Sequence, residues 1–472
     1  MVKNKLLVKG IYWNLLRTVF ERVTLLIQQL ILARILFPED FGVYSKITAA
    51  FSLISFFSLG GASEFLLSRK KNLRLWLPSM NFYWLNLLLI SILLIFIVIK
   101  FLSFENEYFV RLVLLYSFSL PFNAFKISDL ALLNYEGRYK TIAVSRILFT
   151  ISLVFSSLIL AYLNYSVFSL VFSYVISCLI EFLFLRHKTR ITFKINRNFK
   201  KLKLLLANGM QLLVHNFSWR LINSFDFLIL GYLLDDFKAG LYFMAFSLAV
   251  QPISLLMSYL PNLLYSSNLR DNLSLNNVIE RSNSFSFYLV FFSTPLFVYV
   301  YYYADELILW FLGKKWINST DVLKVLSVSM IPRVFASQWH LKYLHLGEFK
   351  LLSKLSFIFS IVYVFILCLL TYFFDLIGAS IATGIFYIFI TFSDLNNNYL
   401  NNKYFLSIVK SIFSSIIIFF LLHSITTYYN NTNFFISLFT SFLGFIAYFL
   451  FLVYIDSNVK NLKRKILNTF KS

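Results

Sequence analysis

The stretch "LARILFPEDFGVYS" (Leu32–Ser45) stops an apolar run at Pro-Glu-Asp and resumes it straight after Phe-Gly. A soluble helix–loop–helix produces this pattern, and so do two membrane spans joined at the water interface. The length of the flanking runs decides between them. Residues 8–36 and 41–67 each form an apolar run, and about 20 such residues cross a hydrocarbon core of ~30 Å. Runs of this length recur along the whole chain. Its 472 residues are 59% hydrophobic, 20% aromatic and only 14% charged, with mean hydropathy +0.75. An average soluble protein is about one-quarter charged, and a soluble domain this apolar could not cover its own surface. The fold class is therefore all-α and polytopic. Backbone polar groups facing lipid must be satisfied within a helix, and the alternating pattern of a membrane β-barrel is absent.

Fourteen spans are predicted, near 8–36, 41–67, 76–100, 110–135, 141–163, 166–186, 204–234, 238–264, 284–312, 321–346, 352–374, 377–397, 407–428 and 433–455. The net charge of +22 is dealt out in small loops rather than gathered on one face, which argues against a nucleic-acid partner. "RKKNLR" (69–74), "EGRYK" (136–140), the 186–203 loop and the tail 460–472 carry the cations. "PEDF" (38–41), "ENE" (105–107), "DD" (235–236) and "ADE" (304–306) alternate with them. The positive-inside rule then puts the basic set and both termini in the cytoplasm. The N-terminus has no small-residue cleavage site and reads as the flank of span one. Cys178 and Cys368 each lie in an apolar run without metal-ligand spacing, so neither a metal nor another cofactor is expected.

The opening stretch has an echo. "LILARILFPEDFGVYS" (30–45) and "FLILGYLLDDFKAGLYF" (227–243) align Gly42 with Gly240 and Tyr44 with Tyr242. A second echo pairs residues 119–140 with 330–350. Two parallel six-helix lobes are expected, 1–186 and 204–397, joined by a basic cytoplasmic linker at 187–203. Residues 398–472 would add two helices and a basic tail. Parallel repeats of this kind recur in transporters that rock about a site at the repeat interface. Pro38 and Gly42 supply the turn of the hairpin.

These residues carry a resemblance. "LARILFPEDFGVYS" is similar to the stretch that follows the first span of bacterial polysaccharide (O-antigen and capsule) flippases, the Wzx-like branch of the MOP exporter superfamily. "LPFNAFKISDLALLNYEGRYK" (120–140) resembles that family's fourth-span exit, and "FLGKKW" (311–316) its ninth-span outer loop. The resemblance covers most of residues 8–400. It implies two lobes around a central cavity in the bacterial cytoplasmic membrane. It also implies a non-enzymatic function, translocation of an isoprenoid-pyrophosphate-linked (undecaprenyl-type) oligosaccharide for lipopolysaccharide or capsule assembly. Membrane lipids, and a polysaccharide polymerase with its chain-length machinery, would be the partners.

Ionisable groups within spans are rare and usually functional. Span one carries Arg17, Glu21, Thr24 and Gln28 on one stripe, with Arg22 beside it. Span seven carries His215, Asn216, Arg220, Asn223 and Asp226; span four Lys126 and Asp129; span ten Arg333 and His340. Cations outnumber anions, and guanidinium groups offer fork-shaped donors to phosphate. Arg17, Arg22, Arg220, Arg333, Lys126, Gln28, Asn216 and Asn223 are therefore the expected cargo ligands. Glu21, Asp129, Asp226 and His215 are the candidates for ion coupling. Self-neutralisation is the blander alternative: Arg17 with Glu21, Lys126 with Asp129, Arg220 with Asp226 or Glu21. Arg146, Glu64 and Glu181 are expected to snorkel at cytoplasmic ends, and His215 to be a hydrogen-bonded lining residue. His340 and His345 have the wrong spacing for one helical face. A small-molecule antiporter of the same superfamily and a membrane polysaccharide polymerase are the competing functions. An organic-cation carrier would want an anionic cavity, and no loop is long enough for a catalytic domain.

Overall fold

Asp40 explains why the chain turns where it does. Its carboxylate accepts a hydrogen bond from the backbone N–H of Phe37 at 2.9 Å, and Pro38 occupies the first helical turn, where its missing N–H costs nothing. Glu39 and Asp40 also oppose the positive end of the helix dipole there. The acidic tripeptide is thus a helix start as well as a water-facing turn.

The computed structural model describes residues 2–55, 76–102, 107–191, 195–251, 254, 275–336, 343, 348–396, 402–428 and 434–455. Among them no strand occurs. In chain order the helices are α1 (Val2–Ile35), α2 (Pro38–Ile54), α3 (Leu77–Leu102), α4 (Glu107–Ser117), α5 (Ser119–Tyr135), α6 (Tyr139–Tyr162), α7 (Ser166–Thr189) and α8 (Phe199–Leu233). They continue as α9 (236–251), α10 (Leu275–Tyr302), α11 (Ala304–Phe311), a 3-10 turn at Lys314–Ser319, α12 (Thr320–Ala336), α13 (Phe349–Asn396), α14 (Asn402–Tyr428) and α15 (Phe434–Ile455). Seven helices among the described residues are long and apolar enough to cross a membrane. Glu64, Gly60, Gly61, Pro252, Pro261, His340 and His345 lie outside the described residues.

Local sequence accounts for the breaks. The fourth span divides at Phe118, just ahead of Pro121, whose ring and missing N–H disfavour an unbroken helix. The expected junction between residues 374 and 377 falls at Asp375, where φ 56° and ψ −137° fold α13 back on itself. A Cβ at Gly378 would overlap the carbonyl of Leu370, so only glycine admits that approach. The expected span 284–312 instead ends at Tyr302, and a separate short helix, α11, follows it. Gly313 at φ 98° then starts the turn that buries Trp316.

Two compact units make up the chain: residues 1–243 with 349–364, and residues 244–348 with 365–472. In the first unit α6 packs on α7 and α1, α5 packs on α7, and α2 packs on α8. Ser169, Ser173 and Ser177 are fully buried on α7. Their hydroxyls donate to carbonyls of the preceding turn, and such small side chains let membrane helices approach closely. In the second unit α10 packs on α12 and α14, and α14 on α15. Tyr448 ties this group together, bonding Ser411 at 2.7 Å and donating to the Phe291 carbonyl at 3.0 Å.

Candidate functional site

The polar stripe of α1 turns toward α6. Gln28 donates to Ser157 Oγ at 2.6 Å. Two turns earlier, Glu21 Oε1 accepts from Arg146 at 2.9 Å. Arg146 also reaches Glu181 Oε2 at 3.4 Å, and Lys126 meets the same carboxylate oxygen at 2.7 Å. Phe149 lies under both cations, 4.7 Å from the Arg146 guanidinium and 5.8 Å from Lys126 Nζ. A chain of charge, Glu21–Arg146–Glu181–Lys126, thus links α1, α6, α7 and α5 within the first unit. Beside it Asn123 contacts the Tyr174 hydroxyl and Cys178, both at 3.5 Å.

Arg17 stands one turn before Glu21 and lies within the electrostatic reach of Glu21, Arg146 and Glu181. Its Nε is buried and has no acceptor among the described residues. The cluster therefore holds three cations, Arg17, Arg146 and Lys126, against two carboxylates, Glu21 and Glu181. A buried positive excess is costly unless an anion completes it.

Several sequence expectations are corrected by this geometry. Lys126 does not pair with Asp129, because it swings to Glu181 on α7 instead. Asp129 is fully buried, accepting from Thr189 at 2.5 Å and facing Arg186 at 3.3 Å. Glu21 takes Arg146, not its helical neighbour Arg17. Arg146 and Glu181 do not snorkel: Glu181 is 0% exposed and spends its oxygens on two cations. Periodicity within one helix had no means of finding them. An acid and a base near the ends of adjacent predicted spans were the available signal.

On α8, Arg220 donates to the Ser52 carbonyl at 3.0 Å and to Ser55 Oγ at 3.3 Å. It thereby caps the carbonyl end of α2. Asp226 is 1% exposed and accepts from the Tyr242 hydroxyl at 3.2 Å. Neither Asp226 nor Glu21 supplies the partner bonds found for Arg220. His215 is hydrogen-bonded, with Nδ1 2.6 Å from Ser356 Oγ. Asn223 donates to the Trp219 carbonyl at 2.6 Å, and Asn216 is exposed. Arg22 is half-buried. Arg333 belongs to the second unit, sandwiched 5.2 Å from the rings of both Phe246 and Tyr387.

Lys46 was not singled out from the sequence, yet it is tied on three sides. Its ammonium pairs with Asp236, lies 5.3 Å from the Phe109 ring centre, and its stem packs where Gly231 leaves room. Just above it the repeated glycines meet. A Cβ on Gly42 would overlap the Asp236 carbonyl, and one on Gly240 would overlap the Pro38 carbonyl. Phe41 stacks on Phe243 with centroids 6.1 Å apart. In the second unit, an apolar hollow of about 600 Å³ lies between α10, α12, α13 and α14, lined by Val290, Val328, Pro332, Ile385 and Ile412 among others.

The sequence pattern of a family described as "Polysaccharide biosynthesis protein" matches residues 31–321. The chain belongs to that family. The match takes in α2 with its acidic start, the Arg146–Glu181 pair and the glycine contact. Among curated proteins no match is found. The fold of this family member is similar to "Lipid II flippase MurJ, inward closed conformation", with TM-score 0.78 and 18% identity over 94% of this chain and 98% of that one. It is also similar to an inward-facing multidrug resistance MATE transporter of the MOP superfamily, with TM-score 0.57 and 14% identity over 81% and 92% of the two chains. The outward-facing conformation of such a transporter gives TM-score 0.55 and 15% identity over 82% and 93%. The family member is thus a multi-pass membrane protein with a flippase and transporter fold, and these neighbours are not enzymes.

Proposed function

We propose that this protein translocates an isoprenoid-pyrophosphate-linked oligosaccharide repeat unit across the bacterial cytoplasmic membrane by alternating access, for assembly of a surface polysaccharide such as O-antigen or capsule. The reading rests above all on the uncompensated positive cluster of Arg17, Arg146 and Lys126 inside a membrane unit of a polysaccharide biosynthesis family member. A pyrophosphate head is multiply anionic, and leaving water without partners would be prohibitive. Arginine keeps its charge when desolvated and presents paired donors matched to phosphate oxygens. Arg22, Arg220, Arg333, Gln28, Asn216 and Asn223 extend the proposed ligand set, and Asp129, Asp226 and His215 join Glu21 as groups for ion coupling. In this scheme fourteen spans form lobes 1–186 and 204–397, with 187–203 as linker, 398–472 as the added helices and both termini in the cytoplasm. The cargo would carry an undecaprenyl-type tail and pass to a polymerase and its chain-length machinery.

A deletion strain should accumulate lipid-linked repeat units inside the cell and lose surface glycan. Re-expressed Arg17→Ala protein should insert normally and fail to restore export. A multidrug antiporter, the reading favoured by the MATE likeness alone, would instead leave surface glycan intact and change drug tolerance. A polymerase defect would leave short, unpolymerised glycan on the surface. Either result overturns the proposal.

A further inference from the structure

The two carboxylates of the buried chain are not equivalent. Glu181 is 0% exposed and shared between Lys126 and Arg146, so it holds three helices at once. Glu21 has a side chain 20% exposed and, among the described residues, one ion-pair partner, the terminal nitrogen of Arg146. Its helix carries Arg17 one turn away, with Nε buried and unsatisfied among the described residues. Glu21 therefore holds one edge of Arg146 while lying within the electrostatic reach of Arg17, whose buried Nε is unmet among the described residues.

Resting on the flippase reading, we propose that Glu21 is an internal substitute for the cargo's phosphate, which competes for Arg146 and keeps the anion site weak enough to let its cargo go. The ligand class is an organic diphosphate. One phosphate group would take the Glu21-facing edge of Arg146 while its oxygens also satisfy Arg17. Glu181 would stay in place, keeping Lys126 and Arg146 oriented. Charges interact strongly where little water screens them. Arginines without a competing carboxylate would bind the diphosphate tightly and release it slowly, and a carrier gains nothing from a state it cannot leave. The carboxylate lowers affinity in order to raise turnover.

This role makes a prediction opposite in sign to that of a simple staple. The full chain is reconstituted in nanodiscs and its affinity measured for farnesyl diphosphate, with farnesol as the uncharged control. Glu21→Gln should bind the diphosphate about tenfold more tightly than wild type, bind farnesol no better, and export less glycan in cells. Glu21→Asp keeps the charge but draws it back from Arg146, and should fall between the two. Thermal unfolding of each variant confirms that folded protein is compared. Equal or weaker diphosphate binding by both folded variants overturns the inference while leaving the flippase reading intact. Wild-type protein that binds farnesol as well as farnesyl diphosphate overturns the reading itself.

Discussion

Glu21 and Arg146, 125 residues apart in sequence, meet at 2.9 Å and join the first helix to the sixth. Arg146 continues to Glu181, so one guanidinium bridges two carboxylates from different helices. In a membrane interior, such a chain both fixes helix positions and concentrates charge. Its members respond differently to substitution because their burial differs.

Glu181→Gln removes the shared anion, strands Lys126 and leaves Arg146 with Glu21 alone. Breaking a buried pair costs about 3–5 kcal/mol, so thermal unfolding of the purified variant should show a large loss. Adding Lys126→Met removes the stranded charge. The double variant should be more stable than Glu181→Gln alone, a non-additivity expected of groups in contact.

Arg220→Met should expose the Ser52 carbonyl and Ser55 hydroxyl at the end of α2, which Arg220 now satisfies. A hydrogen bond from a charged donor contributes about 1.5–3 kcal/mol, and without it the Ser52 carbonyl keeps only the longer 3.3 Å bond from Ser55 Oγ. Hydrogen exchange at residues 49–55 should rise in the variant while α6 and α7 keep their protection. Unchanged exchange in α2 would exclude the capping role.

Lys46 and Asp236 are partly exposed, 21% and 36%, which limits their pair to about 1 kcal/mol or less. Lys46→Met should therefore insert and fold normally. Exchanging the two, as Lys46→Asp with Asp236→Lys, should restore whatever the single variants lose in thermal stability. A large loss in Lys46→Met that the exchange fails to recover would mean that stem packing on Gly231, not charge, dominates.

Gly42→Ala should destabilise the fold, as should Gly240→Ala, because each new methyl lands on a backbone carbonyl that no rotamer change can move. Overpacking of this sort costs about 1–3 kcal/mol. Combining the two should cost no less than the worse single variant. Thermal unfolding in one lipid and detergent condition checks the ranking.

Helical character was legible because lipid demands long apolar runs, and the break at Asp375 was legible because Phe-Asp-Leu interrupts one of them. The stripe on α1 could be found from spacing alone, since Arg17, Glu21 and Gln28 recur at helical intervals. What those residues touch could not. Periodicity ranks faces of one helix, whereas Arg146 and Glu181 find Glu21 and Lys126 through packing between helices distant in sequence. A local rule therefore paired Lys126 with Asp129, three residues on, although α7 offers a better-placed carboxylate. Lys46 escaped notice for the same reason: its acid comes from the repeat-related hairpin, 190 residues later.

The glycine contact between the two echoing hairpins couples what each can accept. Each hairpin is shaped to fit the backbone of the other, so neither can acquire a side chain at this point unless the other retreats. Positions 42 and 240 are thus bound by mutual exclusion: a bulkier residue at either one must displace a backbone carbonyl of the opposite hairpin.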